Sequence, residues 1–274
     1  MNKDNLHIAR QKRGQIESSL LIAFATLSDK ELANLLLSKL STERTIGATL
    51  LGQRKAKEFV VSLCAALRLE KALYSRIAIC EALESIGKES VEPLSQLLGK
   101  IGNNQETKLP EKYFEKKSYP LTRDIVARTI IRIGEPAIDR LIELSATKDN
   151  YLLSQIIDTL GGLLHATGDL RILDRLTIIF DENRQNELLL WKTIRAFSTT
   201  ESKETTNLIM PCLTHSQPAI RWETIRTLGL ISNYETKIIA KIETLTTDSN
   251  EQIQQASVDA TNRIKQREKT KYGS

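Results

Sequence analysis

The sequence predicts an all-α fold, a right-handed α-solenoid of about eight stacked helix pairs. Three observations lead there. First, a residue pattern recurs with a nearly fixed period. Aligned starts fall at Arg44, Arg76, Arg123, Leu153, Glu187, Arg221 and Gln254, separated by 32, 47, 30, 34, 34 and 33 residues. Second, small and apolar residues stand three, six and seven positions after each start, the spacing of one face of a 3.6-residue helix. Third, apolar alternation bounded by Asn-Gly or Asp-Gly turns is missing, so strands have no signal.

Each period reads as two helices. A degenerate first unit begins near Gln15, and its helix is expected to use Leu20, Leu21, Phe24 and Leu27. Charged Glu17 and an apolar run of only about eight residues argue against a leader peptide there. The first-helix faces then run through Leu50 and Leu51; Ile79, Ala82 and Leu83; Val126 and Ile130; Ile156, Thr159 and Leu160; Leu190, Thr193 and Ile194; and Thr224, Thr227 and Leu228. Glycines Gly52, Gly87 and Gly134 are expected where these helices end, because glycine enters the left-handed region without steric cost. Gly161-Gly162 reads as another helix end. Second helices show stripes of their own, such as Val91, Leu94, Leu97 and Leu98, or Leu170, Leu173 and Leu176. Pro136 and Pro218 fall in first turns, where the missing N–H costs nothing.

The motifs Arg76–Ile79–Ala82–Leu83–Ile86–Gly87, Arg123–Val126–Ile130–Ile133–Gly134 and Arg221–Thr224–Leu228–Gly229 resemble the HEAT repeat. The likeness is to the short bacterial and archaeal form also found in phycobilin lyases. It covers roughly residues 40 to 262 and is specific for architecture rather than activity. The resemblance implies that the first-helix arginine pairs with an acid of a neighbouring repeat. Asp149 and Asp248 stand where that acid is expected. Leu153 and Glu187 replace the arginine, so the ladder should be interrupted there. It also implies a regulatory or scaffolding role, since bacterial relatives often bind and control partner proteins.

Composition narrows the function. The net charge is +5, yet residues 1–13 carry +3 and residues 263–274 carry +4, which leaves the body at −2. A nucleic-acid clamp would need a basic stripe along the body. The expected domain therefore spans residues 1–264, with a basic C-terminal tail at 265–274. Three cysteines, Cys64, Cys80 and Cys212, lie in apolar stripes without short spacing and read as reduced core residues of a cytoplasmic protein. No segment has the length to span a membrane.

One interval exceeds the others and marks an insertion, Ile101 to Thr122. It clusters Tyr113, Phe114 and Tyr119 among Lys112, Lys116 and Lys117, and insertions in repeat proteins often lie on the binding face. Arg140, Arg171 and Arg175, on consecutive second helices, are a candidate basic spot for an acidic partner helix. These nine residues are the expected partner contacts. The bland alternative is a connector that covers the stack and a solvated mixed-charge face. His7, His165 and His215 lack metal-ligand spacing, and no nucleophile elbow or phosphate loop is present. No cofactor or metal is expected. Trp191 and Trp222 each precede an arginine, Arg195 and Arg226, by one turn, which predicts stacking. The reading is a non-enzymatic scaffold or regulatory adaptor that binds a protein partner on the concave face. A nucleic-acid-binding or DNA-glycosylase-like protein, or a bilin-lyase-like one, is the alternative.

Overall fold

The computed structural model describes residues 3–111, 122–232 and 235–272. Among them the chain is helical, without a strand. It divides into two compact units, Met1–Gln105 with Arg123–Arg140, and Glu106–Thr122 with Leu141–Ser274.

The first unit contains α1 (Lys3–Lys12), α2 (Ser18–Phe24), α3 (Asp29–Leu35), α4 (Ser41–Gln53), α5 (Val60–Leu69), α6 (Leu73–Ile86), α7 (Val91–Ser95) and α8 (Ile125–Ile133). The next helix, α9 (Ile138–Leu144), carries the boundary between units. The second unit continues with α10 (Asn150–Thr167), α11 (Leu170–Glu182), α12 (Glu187–Ala196), α13 (Lys203–Ile209), α14 (Pro218–Ile231), α15 (Thr236–Glu243) and α16 (Glu251–Tyr272). First helices stack on first helices: α4 on α6 on α8 in one unit, and α10, α12, α14 and α16 in the other. Second helices pack alongside them. The first-helix faces read from the period are buried from Leu50 through Leu228. The degenerate first unit departs from the expectation: α2 is only seven residues long and buries none of them, with Leu20 exposed and Leu21, Phe24 and Leu27 half-buried.

Local chemistry sets the helix starts. Ser28 and Glu31 form a reciprocal capping box on α3. Asp124, Asp149, Asp169, Asn186 and Ser202 accept backbone N–H bonds at the starts of α8, α10, α11, α12 and α13. Asp149 thus serves as a cap, bonded by the N–H groups of Tyr151 and Leu152.

Gly87 and Gly134 follow α6 and α8 with φ of +82° and +78°, as their turns require. Gly52 has a different job. It lies inside α4, and a Cβ there would stand 2.6 Å from Ala82 Cα of α6. Gly229 repeats the arrangement in the second unit, with Ala260 Cβ of α16 at 2.7 Å. Both glycines are eight positions after their repeat's arginine, and both let neighbouring first helices touch backbone to side chain. The end of α4 instead uses Lys55, at φ +52°. Gly161-Gly162 likewise ends nothing: α10 runs on to Thr167 and stops at Gly168 in the left-handed region.

The arginine brace occurs at both ends of the chain. Arg44 pairs twice with Glu70, Nε–Oε2 2.7 Å and Nη2–Oε1 2.9 Å. Its Nη1 donates to the carbonyls of Ser38 and Lys39. Arg221 repeats this with Asp248, at 2.8 and 2.9 Å, and with the carbonyls of His215 and Ser216. Each brace ties a first helix to the turn before it and to the turn one repeat later. The polar C-terminal segment also does structural work. α16 passes Ile264 without a break, and Arg267 donates to the carbonyls of Gly229, Leu230 and Ser232, capping the end of α14. The residues past Ile264 are polar, but one guanidinium there satisfies three otherwise orphan carbonyls.

Candidate protein-binding groove

Two sites stand out from the stack, one sealed and one open. The sealed site lies between α10 and α12. Lys192 is fully buried and Arg195 is 2% exposed, yet both are charged. Asp158 meets them with one oxygen each: Lys192 Nζ at 2.8 Å and Arg195 Nη2 at 2.6 Å. Lys192 also donates to the Ser154 carbonyl at 3.2 Å. Arg195 Nη1 reaches Glu106 Oε2 at 2.8 Å, and its guanidinium lies 4.3 Å over the Trp191 ring. Two acids and two bases thus close a neutral cluster, the geometry a buried ion pair needs to offset its desolvation. Burial pushes the Asp158 carboxyl up, but Arg195 and Lys192 outweigh it and hold its pKa below the ordinary value. A second buried pair sits one repeat later, where Arg226 Nε donates to Glu223 Oε1 at 2.7 Å.

Trp191 and Trp222 are buried. The predicted stacking is present for Trp191 on Arg195. Among the described residues no group of His, Cys, Asp and Glu is arranged to hold a metal ion. Cys64, Cys80 and Cys212 are buried free thiols, and desolvation raises each pKa, to about 12 for Cys64 and about 11 for Cys212. Among the described residues no helix is long and apolar enough to cross a membrane.

The stems of the insertion belong to the folded body. Ile101 and Thr122 are buried, Gln105 donates to Asp124 Oδ2 at 3.0 Å, and Glu106 is the carboxylate on Arg195. Lys112, Tyr113, Phe114, Lys116, Lys117 and Tyr119 lie outside the described residues. The three arginines expected on second helices each have a local acceptor. Arg140 Nε is 2.6 Å from Glu92 Oε2. Arg171 pairs with the α11 cap Asp169 at 2.7 Å. Arg175 donates to Ser145, 2.6 Å to the hydroxyl and 2.9 Å to the carbonyl.

The open site lies in the first unit, between α3 and α5. It is a groove of about 620 Å³. Sequence spacing builds its walls: Lys30, Ala33, Asn34 and Leu37 follow one face of α3 and its exit, and Ser62, Ala65, Ala66 and Leu69 follow one face of α5. Short side chains hollow the middle. Leu37 and Leu69 line it while remaining 82% and 78% exposed. Leu36 and Phe59 also line it, as do both partners of the Arg44–Glu70 brace. Its signal in the sequence was the run of small residues at 62, 65 and 66 on a helix whose other face is Leu63 and Leu67. Another hollow, about 810 Å³ in the second unit, is shallow and polar, lined by residues such as Asn150, Asn183 and Asn186.

No protein-family model matches the chain, and no curated protein matches it. Some solved structures are similar. One engineered protein is 17% identical, with 87% of this chain and 96% of that chain covered and a TM-score of 0.45. Another engineered protein is 14% identical, with 96% and 74% covered and a TM-score of 0.44. A designed armadillo repeat protein in complex with a (KR)4 peptide is 13% identical, with 87% and 100% covered and a TM-score of 0.44.

Proposed function

We propose that the protein is a non-enzymatic scaffold or regulatory adaptor that holds a partner protein in the α3–α5 groove. The observation that supports this is the pair of exposed leucines, Leu37 and Leu69, lining a hollow made by alanines and a serine. Other apolar side chains such as Ile22, Val61 and Leu170 are also exposed, but Leu37 and Leu69 are the two most exposed of the large ones among the described residues, and both line this one hollow. A leucine kept in water forgoes roughly 1.5–3 kcal/mol of burial that a partner would supply. The polar groups of the second unit support the same reading from the other side. Asp158, Lys192 and Arg195 satisfy one another and are closed to solvent, as structural groups are.

The test is affinity capture from native lysate with nuclease present, comparing the wild-type chain with Ala65→Trp. Ala65 is exposed and lines the groove, so a tryptophan there fills it without entering the core. One stoichiometric protein, retained by wild type and lost by the variant, is expected. A set of nucleic-acid proteins that vanishes with nuclease would instead favour the nucleic-acid alternative.

A further inference from the structure

The groove also specifies what kind of segment fills it, an inference that rests on the scaffold reading. We infer that its occupant is a helical segment of a partner protein, with leucine-like side chains along one face and acidic residues at its flanks. Shape comes first. The middle of the groove is lined by Ala33, Ser62, Ala65 and Ala66, so its walls bring little bulk of their own. The incoming segment must bring the bulk, as large apolar side chains that meet the alanines and pack between Leu37 and Leu69. Those two leucines are the apolar anchors this chain contributes.

Backbone accounting then selects a helix. Both walls are helices, whose N–H and C=O groups are already bonded within themselves. They offer no strand edge for an extended peptide to join. Asn34 is the one carboxamide lining the groove, too few to hold an extended backbone. A helix satisfies its own backbone and presents a stripe of side chains every three to four residues, the recognised way for a segment to enter such a groove.

Charge sets the flanks. The lining carries Lys30, Arg44 and Lys71 against Glu70. Arg44 and Glu70 neutralise each other in their twofold pair. Lys30 and Lys71 are left, both exposed and neither ion-paired with a carboxylate among the described residues. The body as a whole is slightly acidic, so this local excess of positive charge is not a general property of the surface. Two uncommitted ammonium groups beside an apolar hollow favour carboxylates at both ends of a docked helix and disfavour lysines there.

The experiment uses the full chain and three fluorescent peptides of about 18 residues, long enough for five helical turns. One has a leucine stripe with glutamate flanks, one the same stripe with lysine flanks, and one glutamate flanks with the stripe changed to serine. Fluorescence anisotropy should show the first binding at least about tenfold tighter than either of the others. Ala65→Trp should abolish that binding, and the double variant Lys30→Glu, Lys71→Glu should reverse the flank preference. Thermal unfolding confirms that each variant is folded, and Leu37→Ser replaces Ala65→Trp if the latter is not. No binding by the first peptide, equal affinity for both flanks, or indifference to the groove variants would overturn the inference. So would tighter Ala65→Trp-sensitive binding to anionic phospholipid vesicles than to the peptide. If a lysate partner is lost with Ala65→Trp while the peptides fail, the scaffold reading stands and this inference falls. A lysate partner that ignores Ala65→Trp removes the groove from both.

Discussion

The α10–α12 interface and the α3–α5 groove invert the usual rule in opposite senses. Between α10 and α12, charge is inside: Asp158, Lys192 and Arg195 are sealed, with every one of them meeting an opposite charge. Between α3 and α5, apolar side chains are outside: Leu37 and Leu69 stand in water beside a hollow. The difference separates holding from binding. A buried charge that is saturated has nothing left to offer a partner. An exposed leucine beside a hollow stabilises nothing in its own chain.

That contrast predicts effects of different kinds, and the stability effects are the larger. Asp158→Ala removes the shared partner of Lys192 and Arg195 and should destabilise the second unit by about 3–5 kcal/mol, read by urea unfolding. A loss below about 1 kcal/mol would show that the cluster is solvated after all. Gly52→Val forces a side chain against the Ala82 backbone and should cost about 1–3 kcal/mol. The matching Gly229→Val, facing Ala260, should behave alike. Arg221→Ala breaks a bidentate, mostly buried brace and should cost about 2 kcal/mol.

Acid sharpens the same comparison. Burial raises the pKa of Glu70, Asp248 and Asp158 alike, but their bonds and attraction to Arg44, to Arg221 and to Arg195 with Lys192 outweigh it, and each ends below its ordinary value. Their stabilisation is therefore complete above the unfolded-state values, 4.5 for Glu and 3.8 for Asp, and is lost as the pH falls from there toward the folded values. Circular dichroism should show stability falling below about pH 4.5. Stability that rises on acidification would contradict these braces. The smallest effect is chemical. Native Cys64, Cys80 and Cys212 should resist a thiol reagent until the chain unfolds, since burial leaves almost no thiolate at neutral pH.

The sequence made the architecture legible because a stacked repeat writes its core as a period. Ile156, Thr159 and Leu160, for example, are buried as their spacing demands, and Gly87 and Gly134 turn where expected. Asp248 receives Arg221 as the resemblance implied. What stayed hidden depends on distances between repeats. Glu70 was not singled out as the acid for Arg44, because it ends a helix in the middle of an apolar run. Gly52 looks like a helix end in one dimension and proves, like Gly229, to be a helix contact in three. The Asp158–Lys192 pair did leave a trace: opposite charges five positions after the start in two consecutive repeats, 34 residues apart. Nothing in one dimension says that Glu106, from the insertion, closes the set. The groove escaped for the reverse reason, since Ser62, Ala65 and Ala66 are ordinary on any helix surface until a second helix faces them.

The most direct test of this separation measures stability and peptide binding together on Leu69→Ser and Asp158→Ala. Leu69→Ser should leave unfolding free energy within about 0.5 kcal/mol of wild type and abolish binding of the glutamate-flanked leucine peptide. Asp158→Ala should do the opposite under conditions where it remains folded. A Leu69→Ser chain that is destabilised yet still binds the peptide would contradict the account.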